Sequence, residues 1–417
     1  EKQRSELVQF WNEQGRYRAE LPDGYSASGP WQVRLTVEGS RWFWLYQRAV
    51  GAARIPPTQD AAAVSPDTEE WEKWVEAKVA YDWWLAGRDA DAANAAFRSP
   101  EAELNAAGEA PPHPGTIPAD LLAAVGNPPR FASAVTPLKY VVTFEDGEEY
   151  TYIDNVSNRQ RFAYYRFSNG TVALGRTLRQ MTEQELDALF QASGMTSSEQ
   201  RISRAVSRLE GGFETINTYD TGFVSVGFIQ FVFLEDGKHS LTEVLELYRD
   251  EHPEQYQRDF RRYGIDVNSD GEVVVVDPAT GAELAGNAAV LKVVDDKRLT
   301  AVFQRAGRHS VHFRAAQVKV AKSRYWPADD VVTVAANGRE YRVKVSDIIS
   351  SEAGIATLFD RKVNRGNINP FPEVVGKVME KYNLSDPPQA AAYEREIVAE
   401  LTYREDFLKE ASLGQPK

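Results

Sequence analysis

The chain has 417 residues, of which 42% are hydrophobic, so it is long enough to bury two or three hydrophobic cores. Its formal net charge of −13 argues against nucleic acid or an anionic membrane as the main partner, because both favour clustered Lys and Arg. It contains no cysteine, which excludes disulfides, thiolate metal sites and cysteine nucleophiles.

Metal sites and membrane spans find little support in the sequence. The longest apolar runs, 222–234 and 273–276, are too short or too interrupted to cross a bilayer, and no signal segment is visible. Among the five histidines, only His309 and His312 stand at helical spacing, which argues against a His-rich metal centre. The nine Trp and 18 Tyr residues suit carbohydrate stacking, although aromatic residues more often belong to a core.

The first part of the chain, residues 1–98, is predicted to be a Trp-rich hairpin-plus-helix domain. Alternation on both sides of a Gly-containing turn predicts a hairpin that places Trp42 and Trp44 on one strand face, as a packed aromatic face rather than a sugar platform. The predicted elements are a helix over 3–17, a hairpin over 31–46, an Ala- and Pro-rich linker over 51–68 and a helix over 69–97.

A second Pro- and Ala-rich linker is predicted over 99–136, with one short helix at 118–125. Residues 137–175 then alternate between apolar and polar side chains around two turns that contain Asp-Gly or Asn-Gly, which predicts a β-meander.

From residue 176 to residue 417 the pattern is mainly helical, with β-hairpin insertions, so the whole chain is predicted to be an α+β protein. Two capping boxes, which begin at Thr182 and Thr196, mark the first two helix starts. Helices are predicted over 182–193, 196–210, 241–249, 253–263, 297–324, 350–363, 372–382 and 388–411, with β-structure over 266–291 and 331–345.

The second of these helices delivers an acid, Glu210, just before two glycines that end the helix. A carboxylic acid in such a position is often an ordinary surface charge. Here the following residues bring further polar side chains, and their order is informative. They are Tyr219, Asp220, Ser225 and Gln230.

This order resembles the lysozyme superfamily of glycoside hydrolases. In phage-type lysozymes a helix-end Glu-Gly precedes a Tyr-Asp and then a Ser or Thr two residues before Gly; here these are 210–211, 219–220 and 225–227. In lytic transglycosylases a Gly-x-x-Gln follows, and 227–230 is similar. Residues 358–366 resemble the Leu-Phe-Asp-x-x-Val-Asn-x-Gly signature of secretion-activator muramidases and chitosan hydrolases.

The resemblance implies roles for these residues. Glu210 is expected to be the general acid, with partial burial keeping it protonated. Asp220 with Ser225 either stabilises the oxocarbenium-like centre or holds a water; alternatively Asp220 is a brace and the substrate's N-acetyl group is the nucleophile. Tyr219 and Gln230 are expected to orient substrate.

The later signature adds Asn364 to the substrate-binding set, although its place before Gly366 also suits a structural bond to the loop of Tyr219 and Asp220. In the same signature, Asp360 is either a cap-region charge or a wall of the cleft.

The predicted function is therefore peptidoglycan hydrolysis, as a muramidase or a lytic transglycosylase that needs no cofactor or metal. The resemblance implies a secreted, cell-envelope or phage-associated bacteriolytic enzyme whose partner is peptidoglycan or a related glycan. Two alternatives stay open: a non-catalytic wall- or protein-binding scaffold on a lysozyme-like body, and a chitosan hydrolase, for which an acidic cleft attracts a cationic polymer.

One further motif has the ligand spacing of a calcium loop, from Asp266 through Gly271 to Asp277. No exiting helix is predicted after it, because residues 273–276 resemble a strand. A plain hairpin turn is therefore favoured over calcium binding.

Overall fold

Helices make up about half of the structure and the strands form small antiparallel sheets, so this is a mixed α and β protein. The structure is a computed structural model. It describes residues 2–23, 32–53, 66–94, 109–135, 137–154, 169–219, 222–234 and 236–417.

Fourteen α-helices lie in these described ranges. They are α1 (Lys2–Trp11), α2 (Val37–Ala53), α3 (Pro66–Asn94), α4 (Ala119–Val125), α5 (Glu183–Ala192), α6 (Ser197–Ser207), α7 (Ser240–Glu251), α8 (Pro253–Asp259), α9 (Gly286–Asp295), α10 (Lys297–His309), α11 (Val311–Tyr325), α12 (Glu352–Arg365), α13 (Phe371–Lys381) and α14 (Glu394–Glu400).

Most strands are short. They are β1 (Tyr17–Glu20), β2 (Gln32–Leu35), β3 (Ala132–Val135), β4 (Lys139–Thr143), β5 (Glu149–Ile153), β6 (Val172–Ala173), β7 (Ile216–Asn217), β8 (Val224–Val226), β9 (Phe231–Phe233), β10 (Ile265–Val267), β11 (Val273–Val276), β12 (Glu283–Ala285), β13 (Val331–Ala336) and β14 (Arg339–Lys344). They pair in the orders β1-β4-β5, β2-β3, β6-β7-β8-β9, β10-β11-β12 and β13-β14.

The hairpin predicted over 31–46 is wrong, because only its first arm is a strand. Thr36 begins a helix there: its Oγ1 accepts a hydrogen bond from Gly39 N–H at 2.9 Å. The aromatic run that follows matches a helical period as well as a strand period, and α2 buries Trp42 and Tyr46, stacked at 5.7 Å. Trp44 instead packs edge-on against Phe223.

The partner of β2 is β3, which lies in the stretch predicted to be a linker over 99–136. The short helix predicted in that stretch is present as α4. The long Trp-rich helix is confirmed as α3, and it packs on β2 and β3. The buried carboxylate of Asp82 on α3 accepts the Phe131 N–H at 2.7 Å, which fixes the entry to β3. The linker predicted over 51–68 falls mostly outside the described residues.

The beginning of the chain packs against its second half. Trp11 on α1 is fully buried and donates its indole N–H to Tyr263 O at 3.1 Å. Strand β1 pairs with β4, the first strand of the predicted meander. The first hairpin of that meander is confirmed as β4-β5, whereas most of the second falls outside the described residues. The domain boundaries remain a prediction, although the contact between Trp11 and Tyr263 spans all three of them.

Both capping boxes are confirmed, since Thr182 and Thr196 accept the expected backbone N–H groups of α5 and α6. Three other predictions for this half need correction. The predicted β-structure over 266–291 ends with β12 and gives way to α9. The helix predicted over 297–324 is broken at Ser310, whose Oγ caps α11 by accepting the Phe313 N–H. The helix predicted over 388–411 contains only α14 flanked by 3₁₀ turns.

The motif with the spacing of a calcium loop is a β-hairpin that joins β10 to β11, so the favoured interpretation as a hairpin turn is confirmed. Its first carboxylate, on Asp266, accepts Arg261 Nε at 2.7 Å, and its last, on Asp277, pairs with Lys292 at 3.1 Å. No cluster of three or more potential metal ligands occurs among the described residues. Within the same residues, no helix is long and apolar enough to cross a membrane.

Two large hydrophobic cores meet at the end of α6. The C-terminal core is built mainly from α12, α13, α14 and the β13-β14 hairpin, and Ile202 and Val206 of α6 belong to it. The large core contains most of the residues packed around α7 to α11 and the β6-β9 sheet. Phe213 and Ile216, just after α6, belong to this large core. The segment that carries Glu210 therefore crosses from one core to the other.

Glu352 holds the C-terminal core together at the start of α12. Its carboxylate accepts Arg201 Nε of α6 at 3.0 Å and Gly414 N–H at 2.8 Å. These bonds, of which the hydrogen bond from Arg201 has the largest effect, lower the pKa of Glu352 from 4.5 to about 2. The helix that leads to Glu210 and the helix α12 are thereby fixed to each other.

We expect Glu352→Gln to lower the free energy of unfolding near pH 7 by about 1 kcal/mol, because Arg201 is half-exposed and water screens the pair. A lowered carboxyl pKa stabilises the fold above the unfolded value and loses this effect as the pH falls through the folded value. The difference between wild type and variant should therefore shrink between pH 4.5 and about 2. Urea denaturation at several pH values measures it, with the exposed Glu340→Gln as control; a pH-independent difference would contradict the expectation.

Candidate active site

The turn after α6 places Glu210 between the two cores. Glu210 N–H donates to Ser207 O at 3.1 Å, and the next residue, Gly211, donates its N–H to Phe228 O at 3.0 Å. Gly212 is needed for packing, because a Cβ at this position would lie 2.1 Å from Arg176 O. The acid is thus held between the end of α6 and the turn that joins β8 to β9.

Three side chains surround the Glu210 carboxylate. Arg404 donates from Nη2 to Glu210 Oε1 and, from the same nitrogen, to Asp360 Oδ1. A second bond, from Arg404 Nε to Asp360 Oδ1, is 2.9 Å long. Asn364 Nδ2 donates to Glu210 Oε1 at 3.3 Å. One guanidinium is therefore shared by two carboxylates.

Helix α12 provides two of these neighbours on one face. Asp360 and Asn364 are four residues apart, so they lie one turn from each other, and Asn364 Nδ2 also donates to Asp360 O at 2.8 Å. The Asp360 side chain is only 1% exposed and Glu210 is 12% exposed. Asp360 is thus a buried member of the site rather than a cap-region charge.

Burial raises the pKa of Glu210 above its ordinary value, and this is the largest effect on the group. The positive charge of Arg404 and the hydrogen bond from Asn364 oppose the rise, whereas the nearby carboxylate of Asp360 adds to it. Because Arg404 also serves Asp360, its charge is not available to Glu210 alone. The arrangement favours a carboxyl group that holds a proton further towards neutral pH than an exposed glutamate does.

The small β6-β9 sheet holds the other predicted site residues. Ser225 is the central residue of β8, is 4% exposed, and lies opposite Asn217 and Val232. Gln230 ends the β8-β9 turn with φ +59° and donates its Nε2 to Gly227 O at 2.9 Å. This turn also accepts the bond from Gly211, so Gln230 and Glu210 are attached to the same short segment.

Tyr219 follows β7 and is half-buried, with its N–H donating to Asn217 Oδ1 at 3.0 Å. Asp220 lies outside the described residues, so its expected role stays a prediction. Among the described residues, Asn364 donates its side-chain hydrogen bonds to Glu210 and Asp360. Asn364 is thus a neighbour of the acid itself.

Sequence reasoning missed Arg404. It follows α14, is 194 residues from Glu210, and stands among acidic residues with no motif around it. The available signal was indirect: a buried acid such as Asp360 needs a cation, but the sequence does not say which of 48 Lys and Arg residues supplies it.

Glu214 is a further buried carboxylate near this loop, and the sequence did not indicate it. It accepts Arg176 N–H at 2.9 Å and Arg308 Nε at 2.6 Å, and Arg308 also pairs with Glu148. All its bonds run to neighbouring segments, so it stabilises the loop after Glu210 against α10.

An open groove of about 1040 Å³ lies between α1 and the β10-β11 hairpin. It is lined by Phe10, Tyr263 and several charged residues, and none of its described lining residues belongs to the predicted site. No protein-family model, curated protein or solved structure matches the chain.

We expect Arg404→Met to lower the free energy of unfolding by about 3 kcal/mol, because it leaves Asp360 buried without its cation. Arg404→Lys should cost less, since it keeps the charge but lacks the planar fork that serves two carboxylates. Urea denaturation of both variants measures the two losses. The exposed Arg339→Met is the matched control, and equal stability of wild type and Arg404→Met would contradict the described pairing.

Proposed function

We propose that the protein is a lysozyme-like glycoside hydrolase or lytic transglycosylase that cleaves the glycan strand of peptidoglycan, with Glu210 as general acid. The observation that carries the proposal is the environment of Glu210: it is partly buried between two cores, its pKa is raised, and one face of it meets Arg404 and Asn364. The resemblance over 210–230 and 358–366 supports the same reading, since both segments supply residues around this acid or its loop.

Cleavage of a glycosidic bond needs a proton for the leaving oxygen at a pH where an ordinary carboxylic acid has lost it. Burial favours the protonated form of Glu210. Once the proton has been given up, Arg404 and Asn364 donate hydrogen bonds to the carboxylate, which lowers the cost of the buried charge. Burial thus favours the protonated acid before the transfer, and the two donors stabilise the carboxylate after it.

The second group of the reaction is assigned to Asp220 with Ser225, which either stabilise the oxocarbenium-like centre or hold a water, or else Asp220 is a brace and the N-acetyl group of the sugar attacks. Tyr219, Gln230 and Asn364 are assigned to substrate binding. Hydrolysis requires a water held opposite Glu210, whereas attack by a group of the sugar itself yields an anhydro product. Mass analysis of the fragments released from peptidoglycan distinguishes the two, and parallel digestion of chitosan tests the alternative polymer. A protein that binds these polymers and releases no fragments would instead be the scaffold.

The substitution Glu210→Gln removes the proton donor with little change in shape. We expect it to lower the rate at which purified cell walls are cleared by about a thousandfold or more, which is the effect of losing a general acid. A raised carboxyl pKa costs stability above that pKa, so the variant should melt at pH 7 at the wild-type temperature or slightly higher. The turbidity of a cell-wall suspension measures activity, and thermal unfolding of the same samples measures stability. Retained wall-lytic activity in the folded variant would contradict the proposal.

The neighbour Asp360 gives a test that does not remove the acid. Its negative charge raises the pKa of Glu210, so Asp360→Asn should lower that pKa. Because the reaction needs protonated Glu210, activity falls as the pH rises through this pKa, and the alkaline limb of the pH profile should move to lower pH. The profile of the exposed Asp347→Asn should not move. An unchanged or upward-shifted limb in Asp360→Asn would exclude Glu210 as the group that sets it.

A further inference from the structure

Beside the face of α12 that meets Glu210 lies a second stripe, made of two arginines and a tyrosine. Arg361 and Arg365 each follow one of the two α12 residues of the site, Asp360 and Asn364, so they are also one turn apart. Tyr403, which precedes Arg404, covers them: its ring centroid is 5.4 Å from Arg361 Cζ and 4.6 Å from Arg365 Cζ. The two stripes are therefore neighbours on one helix.

Arg361 is only 7% exposed, yet its Nε and Nη1 have no hydrogen-bond partner within the described part of the chain. Neither Arg361 nor Arg365 forms an ion pair with a described acidic residue, whereas Arg404 engages the nearby Asp360. Buried donors without partners are costly, and two adjacent cations repel each other. The cluster of Arg361, Arg365 and Tyr403 is thus short of a negative charge.

This shortage occurs in a chain that carries 61 acidic residues against 48 Lys and Arg. An acid of the protein's own could easily have been placed there. The planar guanidinium group binds carboxylates through paired N–H donors, and a tyrosine ring offers an apolar surface to the rest of a ligand. The chemistry therefore fits a carboxylate attached to a larger molecule that lies next to Glu210.

We propose that Arg361, Arg365 and Tyr403 form a subsite for a carboxylate of the peptide carried by the glycan strand. This inference rests on the proposed function, because peptidoglycan is a glycan whose sugars bear peptides with free carboxyl groups. The glycan lies across Glu210, and its peptide reaches the neighbouring stripe of α12. The subsite selects strands that still carry their peptides over unsubstituted glycans such as chitin.

The test compares native peptidoglycan with the same polymer after its carboxyl groups have been converted to amides by carbodiimide and ammonia. Arg365→Gln is the main variant, because Arg365 is exposed and its loss leaves the buried parts of the cluster in place. We expect kcat/KM on native polymer to fall about tenfold, the size of one lost charge-assisted hydrogen bond, and to be unchanged on amidated polymer. Arg339→Gln, a matched exposed variant, should change neither value.

An equal fall on both polymers, or no fall on either, would overturn the subsite. A third substrate, strands stripped of peptide by an amidase, keeps the carboxylate of the lactyl group alone. The loss caused by Arg365→Gln should disappear on these strands; if it persists, the peptide assignment is wrong.

A binding assay separates failure of the subsite from failure of the proposed function. In the Glu210→Gln background, sedimentation with insoluble native and amidated peptidoglycan reports binding without cleavage. We expect Arg365→Gln to weaken binding to native polymer alone. If wild type releases no fragments, the proposed function fails in the activity assay, while this difference in binding still decides whether the carboxylate subsite exists.

Discussion

One guanidinium shared by two carboxylates holds the candidate site together. Arg404 satisfies Asp360, which is almost fully buried, and also reaches Glu210, which lies where the large core meets the C-terminal core. A cation that paired with Glu210 alone would favour its charged carboxylate. Without any cation, the two carboxylates would repel each other. Sharing gives an intermediate electrostatic environment in which burial still raises the pKa of Glu210. The pKa of Glu210 thus depends on Arg404, a residue that also stabilises the fold by pairing with the buried Asp360.

Hydrogen bonds elsewhere in the fold fix the positions of α6, of α12 and of the loop that carries Glu210. The Glu352 carboxylate joins α6 to α12, and Gly211 joins the acid's loop to the β8-β9 turn. The Glu214 network then attaches that loop to α10. Each connection uses a buried or half-buried polar group whose partner comes from a different segment. The acid is therefore positioned by the packing of several elements and not by its own helix alone.

Local signals predicted local structure well. Thr182 and Thr196 marked helix starts because a capping box is contained within four residues. The prediction failed where one pattern satisfies two periods, as in the aromatic run after Thr36, or where a single side chain breaks a continuous pattern, as Ser310 does. For the site, the resemblance to a known order of residues placed the helix-end acid and the remote Asn364 in one predicted site, although it did not predict their contact. Arg404 could not be predicted as part of the site, because no motif in the sequence around it indicates a partner so far away along the chain.

That separation of 194 residues between Glu210 and Arg404 has a consequence for folding. Contacts between remote residues form late, since a long loop must close before they contribute. Until Arg404 arrives, Glu210 and Asp360 face each other as like charges, which works against joining α6 to α12. We therefore expect the environment of Glu210 to be completed late in folding. An incompletely folded chain would then lack the pairing of Glu210 and Asp360 with Arg404.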